Sequence, residues 1–221
     1  MTAPLPKMYS TSQVTAYGTC PRQYAYRYVL KIPVLTTPEA MAKGSRIHAA
    51  IADGSGCAAS DEQAMVEKAR RYLDIFPDDP IIETTYEDRQ NPGRLRGTVC
   101  GYPFVGIFDV HWTEPAVGLD WKTGNYKPKY STGLETQGYV LGELYRSEYD
   151  TDLEALAFVF LKTGDVHYAK AIHEGRSRTA AENRIEKAID GIQCREFDKK
   201  RSPLCHYCEH KAICDINAGF R

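Results

Sequence analysis

The 221-residue chain predicts an α/β domain with a central sheet flanked by helices. Three observations carry that expectation. Hydrophobic spacing switches from helical to strand-like between Ile81 and Trp121. It returns to helical over Tyr130–Tyr149. A continuous apolar run, Leu153–Leu161, then has the length of a buried strand and precedes a charged, alanine-containing helix.

In chain order, Ser10 with Gln13 three residues later predicts the cap of a first helix. Two helical pieces, Ser12–Gly18 and Pro21–Leu30, are broken at Cys20 because Pro21 cannot continue a helix but suits its first turn. Pro38 to about Asp53 reads as a helix that Gly54-Ser55-Gly56 ends, and Asp61–Phe76 as one that Pro77 closes. Strands are expected at Ile81–Tyr86, Arg94–Cys100, Tyr102–Trp112 and Val117–Trp121, with a hairpin turn about Gly101 and Tyr102-Pro103. After the helix at Tyr130–Tyr149 and the strand at Leu153–Leu161, Thr179–Ile192 is the last long helix. The final twenty residues are rich in cysteine. There is no internal repeat and no low-complexity linker, so one domain is expected.

Composition excludes several classes. No apolar run is long enough to span a bilayer, and the N-terminus lacks a signal-peptide core, which predicts a cytoplasmic protein with no membrane partner. The net charge of −1 favours no partner, but the charge is unevenly placed. Met1–Pro38 has no acidic residue, yet holds Lys7, Arg22, Arg27 and Lys31 among five tyrosines. Lys122, Lys127 and Lys129 lie in an acid-free stretch between Asp120 and Glu135, and Lys199-Lys200-Arg201 form a third cluster. Basic residues interleaved with aromatics suit a polyanion whose bases stack; the same pattern also describes a solvated surface over core tyrosines.

The chemistry concentrates in Gly106-Ile-Phe-Asp109 and Gly118-Leu-Asp120-Trp-Lys122-Thr-Gly124. Residues two apart on a strand share a face, so Asp120 and Lys122 point the same way, and a neighbouring strand can bring Asp109 beside them. Two buried carboxylates are costly without compensating charge. A hard divalent cation such as magnesium or manganese supplies it. Lys122 would orient water or neutralise charge on a phosphate. Alone, a D-x-K of this kind also fits a structural ion pair at a strand end.

These residues resemble the G-x-x-D … (D/E)-x-K-T-G signature of RecB-like nucleases of the PD-(D/E)XK superfamily. The resemblance implies a restriction-endonuclease-like mixed sheet flanked by helices and a divalent-metal-dependent deoxyribonuclease, with Asp109, Asp120 and Lys122 catalytic. It makes His48, in Gly44-Ser-Arg-Ile-His48, a metal ligand, joined by Asp109, Asp120 and the Trp121 carbonyl. Glu83 takes a weaker acidic role. The family's Q-x-x-x-Y corresponds to Glu135-Thr-Gln137-Gly-Tyr139. There Glu135 and Tyr139 keep the spacing, Gln137 keeps the residue type, and Tyr139 is the clearer member.

Seven cysteines without a secretory signal make poor material for a disulfide framework. Cys205-His-Tyr-Cys208 with Cys214 is a C-x₂-C-x₅-C array suited to a metal, and Cys20 is the candidate fourth thiolate. The array resembles that of AddB-type helicase–nuclease subunits and CRISPR-associated RecB-like exonucleases. That resemblance implies a 4Fe–4S cluster on Cys20, Cys205, Cys208 and Cys214, joining about residues 1–35 to 194–221. A four-cysteine zinc site, with His206 and His210 as spare ligands, is the rival. The C-P-R-x-Y start, Cys20-Pro-Arg-Gln-Tyr24, resembles the N-terminal half of that array. The Tyr/Arg-rich first helices, with Arg22 and Tyr24, and the basic Lys127 and Lys129 are the expected nucleic-acid contacts. The expected function is a DNA exonuclease acting on single-stranded ends in phage or prokaryotic recombination, repair or CRISPR adaptation, with protein partners there. The alternatives are a nuclease-fold DNA-binding or assembly subunit, and an electron carrier.

Overall fold

The computed structural model describes residues 3–34, 39–76, 79–83, 93–128 and 131–216. Lys129 and the second half of the strand expected at Ile81–Tyr86 lie outside them.

The chain opens with α1 (Thr11–Thr19), whose Ser10 cap accepts a hydrogen bond from the Gln13 N–H at 3.4 Å. Cys20 is extended, and Pro21 starts α2 (Pro21–Tyr24), which continues as a π-helical turn over Ala25–Val29. Helices α3 (Glu39–Ala52) and α4 (Ser60–Leu73) pack together. A five-stranded mixed sheet follows, ordered β1 (Ile81–Ile82), β4 (Val110–Thr113), β5 (Ala116–Lys122), β6 (Ala155–Phe160) and β7 (Val166–Tyr168). β5 and β6 pair in parallel through the crossover helix α5 (Ser131–Tyr149), and the other pairs are antiparallel. α6 (Arg176–Gln193) packs on α5, and α7 (Lys211–Ile216) ends the described chain.

Two corrections concern the sheet. The strand expected over Tyr102–Trp112 is two strands in two sheets. β2 (Arg94–Val99) and β3 (Tyr102–Ile107) form a separate hairpin, and the chain leaves it at Phe108-Asp109 to join the main sheet as β4. At that break the Phe108 N–H donates to Gly93 O and the Glu83 N–H to Asp109 O, both at 2.9 Å. The hairpin turn is Cys100-Gly101, at φ 49° and 77°, because a two-residue turn with both central φ positive matches strand twist. β7, too short to show periodicity, was not expected.

The sheet separates two cores by strand alternation. On β6, Leu156, Phe158 and Phe160 face the core with α5 and α6, whereas Ala157 and Val159, with Leu161 just beyond the strand, face the core with α3 and α4. Gly106 lets α5 approach the hairpin: a Cβ there would stand 2.8 Å from the Leu141 and Leu144 side chains. No helix among the described residues is long and apolar enough to cross a membrane.

Candidate metal centre and cysteine cavity

Antiparallel pairing of Val110 with Leu119 brings Asp109 and Asp120 to adjoining positions at the same end of β4 and β5. Both carboxylates are buried. The Trp121 backbone N–H donates to Asp109 Oδ2 at 2.5 Å, fixing that side chain, while the Trp121 ring packs in the core beside Tyr72. α3 delivers His48, whose Nδ1 lies 3.2 Å from Asp109 Oδ1 and 3.3 Å from Glu83 Oε1. The ligand atoms of His48, Glu83 and Asp109 all fall within 4.8 Å of one another. Glu83, a secondary candidate in the sequence, is thus as close to the centre as His48.

Lys122 lies on the same strand face as Asp120 and pairs with its Oδ1. Its Nζ also donates to Gln137 Oε1 at 3.2 Å and sits 5.2 Å from the Phe158 ring centroid. Gln137 Nε2 donates to Asp120 Oδ2, so this amide braces both members of the pair. Phe158 was not singled out in the sequence; the parallel register that pairs it with Asp120 accounts for its position.

The acidic cluster carries surplus negative charge. Burial pushes Glu83 up to about 7. Burial also pushes Asp120 up to about 6, outweighing the attraction of Lys122. Burial opposes a charged His48, but Asp109 and Glu83 hold its imidazolium well above the ordinary histidine range. Asp109 pays for burial through His48 and Lys122, and ends below the usual carboxylate range. Carboxylates that retain protons near neutrality, beside an imidazole and with hard oxygen donors converging, fit a divalent cation.

The helix α5 sorts the downstream motif. Gln137 meets the Asp120–Lys122 pair, but Glu135 and Tyr139, two residues to either side, are rotated away from it. Glu135 accepts from the Ala171 N–H at 2.8 Å and pairs with His167 Nε2 at 2.9 Å; His167 Nδ1 in turn lies 3.4 Å from Tyr126 OH. Tyr139 is buried with its hydroxyl 3.6 Å from Cys100 Sγ and the Arg178 guanidinium over its ring. Each two-residue step turns a helix by about 200°, which is why these three cannot share the site.

Two expected nucleic-acid contacts are corrected. Arg22 is buried and its Nε donates to Phe197 O at 3.0 Å. Tyr24 is wholly buried, stacked on Phe197 with its hydroxyl bonded to Gln13. Both hold the N-terminal helices to the C-terminal segment. Lys127 is exposed on the loop after β5.

The ends meet around a second centre. Tyr17 OH donates to Glu196 O at 2.8 Å and Lys200 Nζ to Gly18 O at 2.9 Å. Cys20, Cys205, Cys208 and Cys214 line one cavity of 280 Å³, and none of them forms a disulfide. Burial pushes the Cys208 thiol up, and Cys20 and Cys214 add to the effect, as neighbouring sulfurs do. Cys57, Cys100 and Cys194 are not among the residues that line this cavity.

The sequence pattern of the PD-(D/E)XK nuclease superfamily matches residues 8–215. The chain belongs to that superfamily. Membership implies a divalent-metal-dependent nuclease with DNA as its substrate. Among solved structures the chain is similar to SSO0001, with a TM-score of 0.55 and 14% identity over 96% of this chain and 87% of that one. At that identity the likeness speaks for the fold. No curated protein matches the sequence.

Proposed function

We propose that this PD-(D/E)XK protein is a DNA exonuclease acting on single-stranded ends, with a 4Fe–4S cluster clasping its two termini. The observation that carries the nuclease reading is the convergence of His48, Glu83 and Asp109 beside the Asp120–Lys122 pair. His48, Glu83, Asp109 and Asp120 would hold magnesium or manganese, which supplies positive charge for the phosphate and acidifies water. Lys122 neutralises charge developing on the phosphate, and Gln137 holds Lys122 and Asp120 in place. Trp121 contributes its backbone N–H to Asp109. Glu135 and Tyr139 support α5 from its other faces.

The cysteine cavity supports the cluster reading. Four thiols from opposite ends of the chain share it. A cluster held there would make residues about 1–35 and 194–221 one subdomain of a single domain. The biological setting proposed is recombination, repair or CRISPR adaptation in a prokaryote or phage.

The test is digestion of end-labelled single-stranded, duplex and circular DNA with magnesium or manganese. Metal-dependent release of short products from linear single strands, absent in Asp120→Asn, is expected. Cutting of circles as fast as linear strands would replace the exonuclease with an endonuclease. Tight DNA binding without any cutting would favour the assembly-subunit reading.

A further inference from the structure

A groove of 480 Å³ runs between α1, the α2 turn, α3 and α5 and ends at Gln137. Gln137 therefore belongs both to the groove and to the bracing of Asp120 and Lys122. Along the wall, Thr11 and Thr15 are one helical turn apart on α1. The lining also holds Arg27 and Tyr28, with the guanidinium 5.4 Å from the ring centroid. Met41, from α3, adds an apolar lining side chain that is 49% exposed.

Charge distinguishes this groove from the hollow beside α3 and α4. No lining residue is acidic. The hollow beside α3 and α4 has an arginine too, but Arg46 is bound to both Glu39 and Glu62 within normal hydrogen-bond range. Arg27 has Glu209 only at 3.9 Å, the limit of an ion pair, and its side chain stays 43% exposed. Ligand pockets of roughly 300–1,000 Å³ hold drug-sized molecules, so the groove has room for a nucleotide.

We infer that this groove is the track of a single DNA strand, with Arg27 and the α1 hydroxyls on its phosphates and Tyr28 stacked on a base. Hydroxyls and arginines bind phosphate without reading sequence, and an aromatic ring stacks on any base. The strand would leave the groove at Gln137, beside the metal centre. The inference rests on the nuclease reading for its purpose, but not for its test. It also moves the single-strand contact from Arg22 and Tyr24, which are buried, to the exposed Arg27 and the half-buried Tyr28 on the same segment.

Binding of fluorescein-labelled oligothymidylate to the full chain, measured by anisotropy in EDTA so that no cutting occurs, tests the track. Tyr28→Ala should weaken binding about tenfold, within the range of one lost stack. Arg27→Gln should weaken it several-fold and reduce the salt slope by about 0.7, the share of one phosphate contact on a single strand. Lys187→Gln, an exposed lysine on α6, should bind as the parent does. Should Tyr28→Ala fail to fold, Arg27→Gln and its salt slope decide. Parental affinity in both groove variants would overturn the track, as would equal weakening for a blunt duplex. A protein that binds through Arg27 and Tyr28 but never cuts with metal would keep the track and sink the nuclease.

Discussion

The candidate metal centre and the cysteine cavity are built in opposite ways. The first is assembled by regular structure: β4 and β5 set Asp109 and Asp120 side by side, and α3 and α5 bring His48 and Gln137 against them. The second joins segments separated by nearly the whole chain, and only short helical turns frame Cys205, Cys208 and Cys214. Strand register fixes the first without help from the ends of the chain. The second depends on termini that lose much conformational freedom when they meet. Damage to the first should therefore remove chemistry and leave the fold, and damage to the second should do the reverse.

The largest expected effect is at the metal centre. Asp109→Asn, Asp120→Asn and Lys122→Ala should each lower cleavage by at least about 10²-fold, with thermal melting little changed. Full activity in either aspartate variant would break the contrast at its stronger end.

The cysteines come next. Purified without oxygen, the protein should be brown, and Cys20→Ala should lose the colour as completely as Cys208→Ala. Opening so long a loop should lower the melting temperature on the order of 10 °C, while the molecules that remain folded still cut. A cluster that survives Cys20→Ala would show that the ends are not joined through this residue. A colourless, zinc-loaded, active protein would remove the cluster and leave the metal centre standing.

Gln137 sharpens the comparison within α5. Gln137→Ala should reduce turnover about 10–100-fold, as losing a group that orients a metal ligand does. Glu135→Ala should act mainly on stability, through the lost bonds to His167 and Ala171. Steady-state kinetics beside melting curves separates the two.

How legible these regions were follows from the same difference. Asp109, Asp120 and Lys122 could be read as neighbours because strand alternation is a local rule. The break at Phe108-Asp109 could not, because strand-like residues continue across it and only the hydrogen bonds to Gly93 and Glu83 divide the two sheets. Choosing between Glu135 and Gln137 requires the rotation of α5 against the sheet, which spacing alone does not give. Arg22 and Tyr24 were misplaced at the surface because the segment that buries them, about Phe197, lies 175 residues from Arg22. Cys20 was placed by resemblance, and the shared cavity is consistent with that placement.

The smallest effect concerns acid stability at His111, on β4 two residues beyond Asp109. Burial lowers His111 to about 4, and its Nε2 lies 2.8 Å from Tyr149 OH. The unfolded chain binds this proton near pH 6.5. The stabilisation is therefore full above about 6.5 and declines as pH falls toward 4, by on the order of 3 kcal/mol in total. Glu83, raised to about 7, acts with the opposite sign. Urea unfolding of the parent and His111→Gln between pH 7 and 4.5 isolates the His111 share as the difference in slope.

The most direct measurement of the central claim is manganese binding followed by the paramagnetic signal of the free ion, on the parent, His48→Ala, Glu83→Gln and Asp109→Asn. At least one site per chain is expected in the parent, weakened in His48→Ala and Glu83→Gln and lost in Asp109→Asn, in step with cleavage. Unchanged manganese binding in Asp109→Asn would contradict the account, because the side chains gathered around Asp109 would then not be the metal centre.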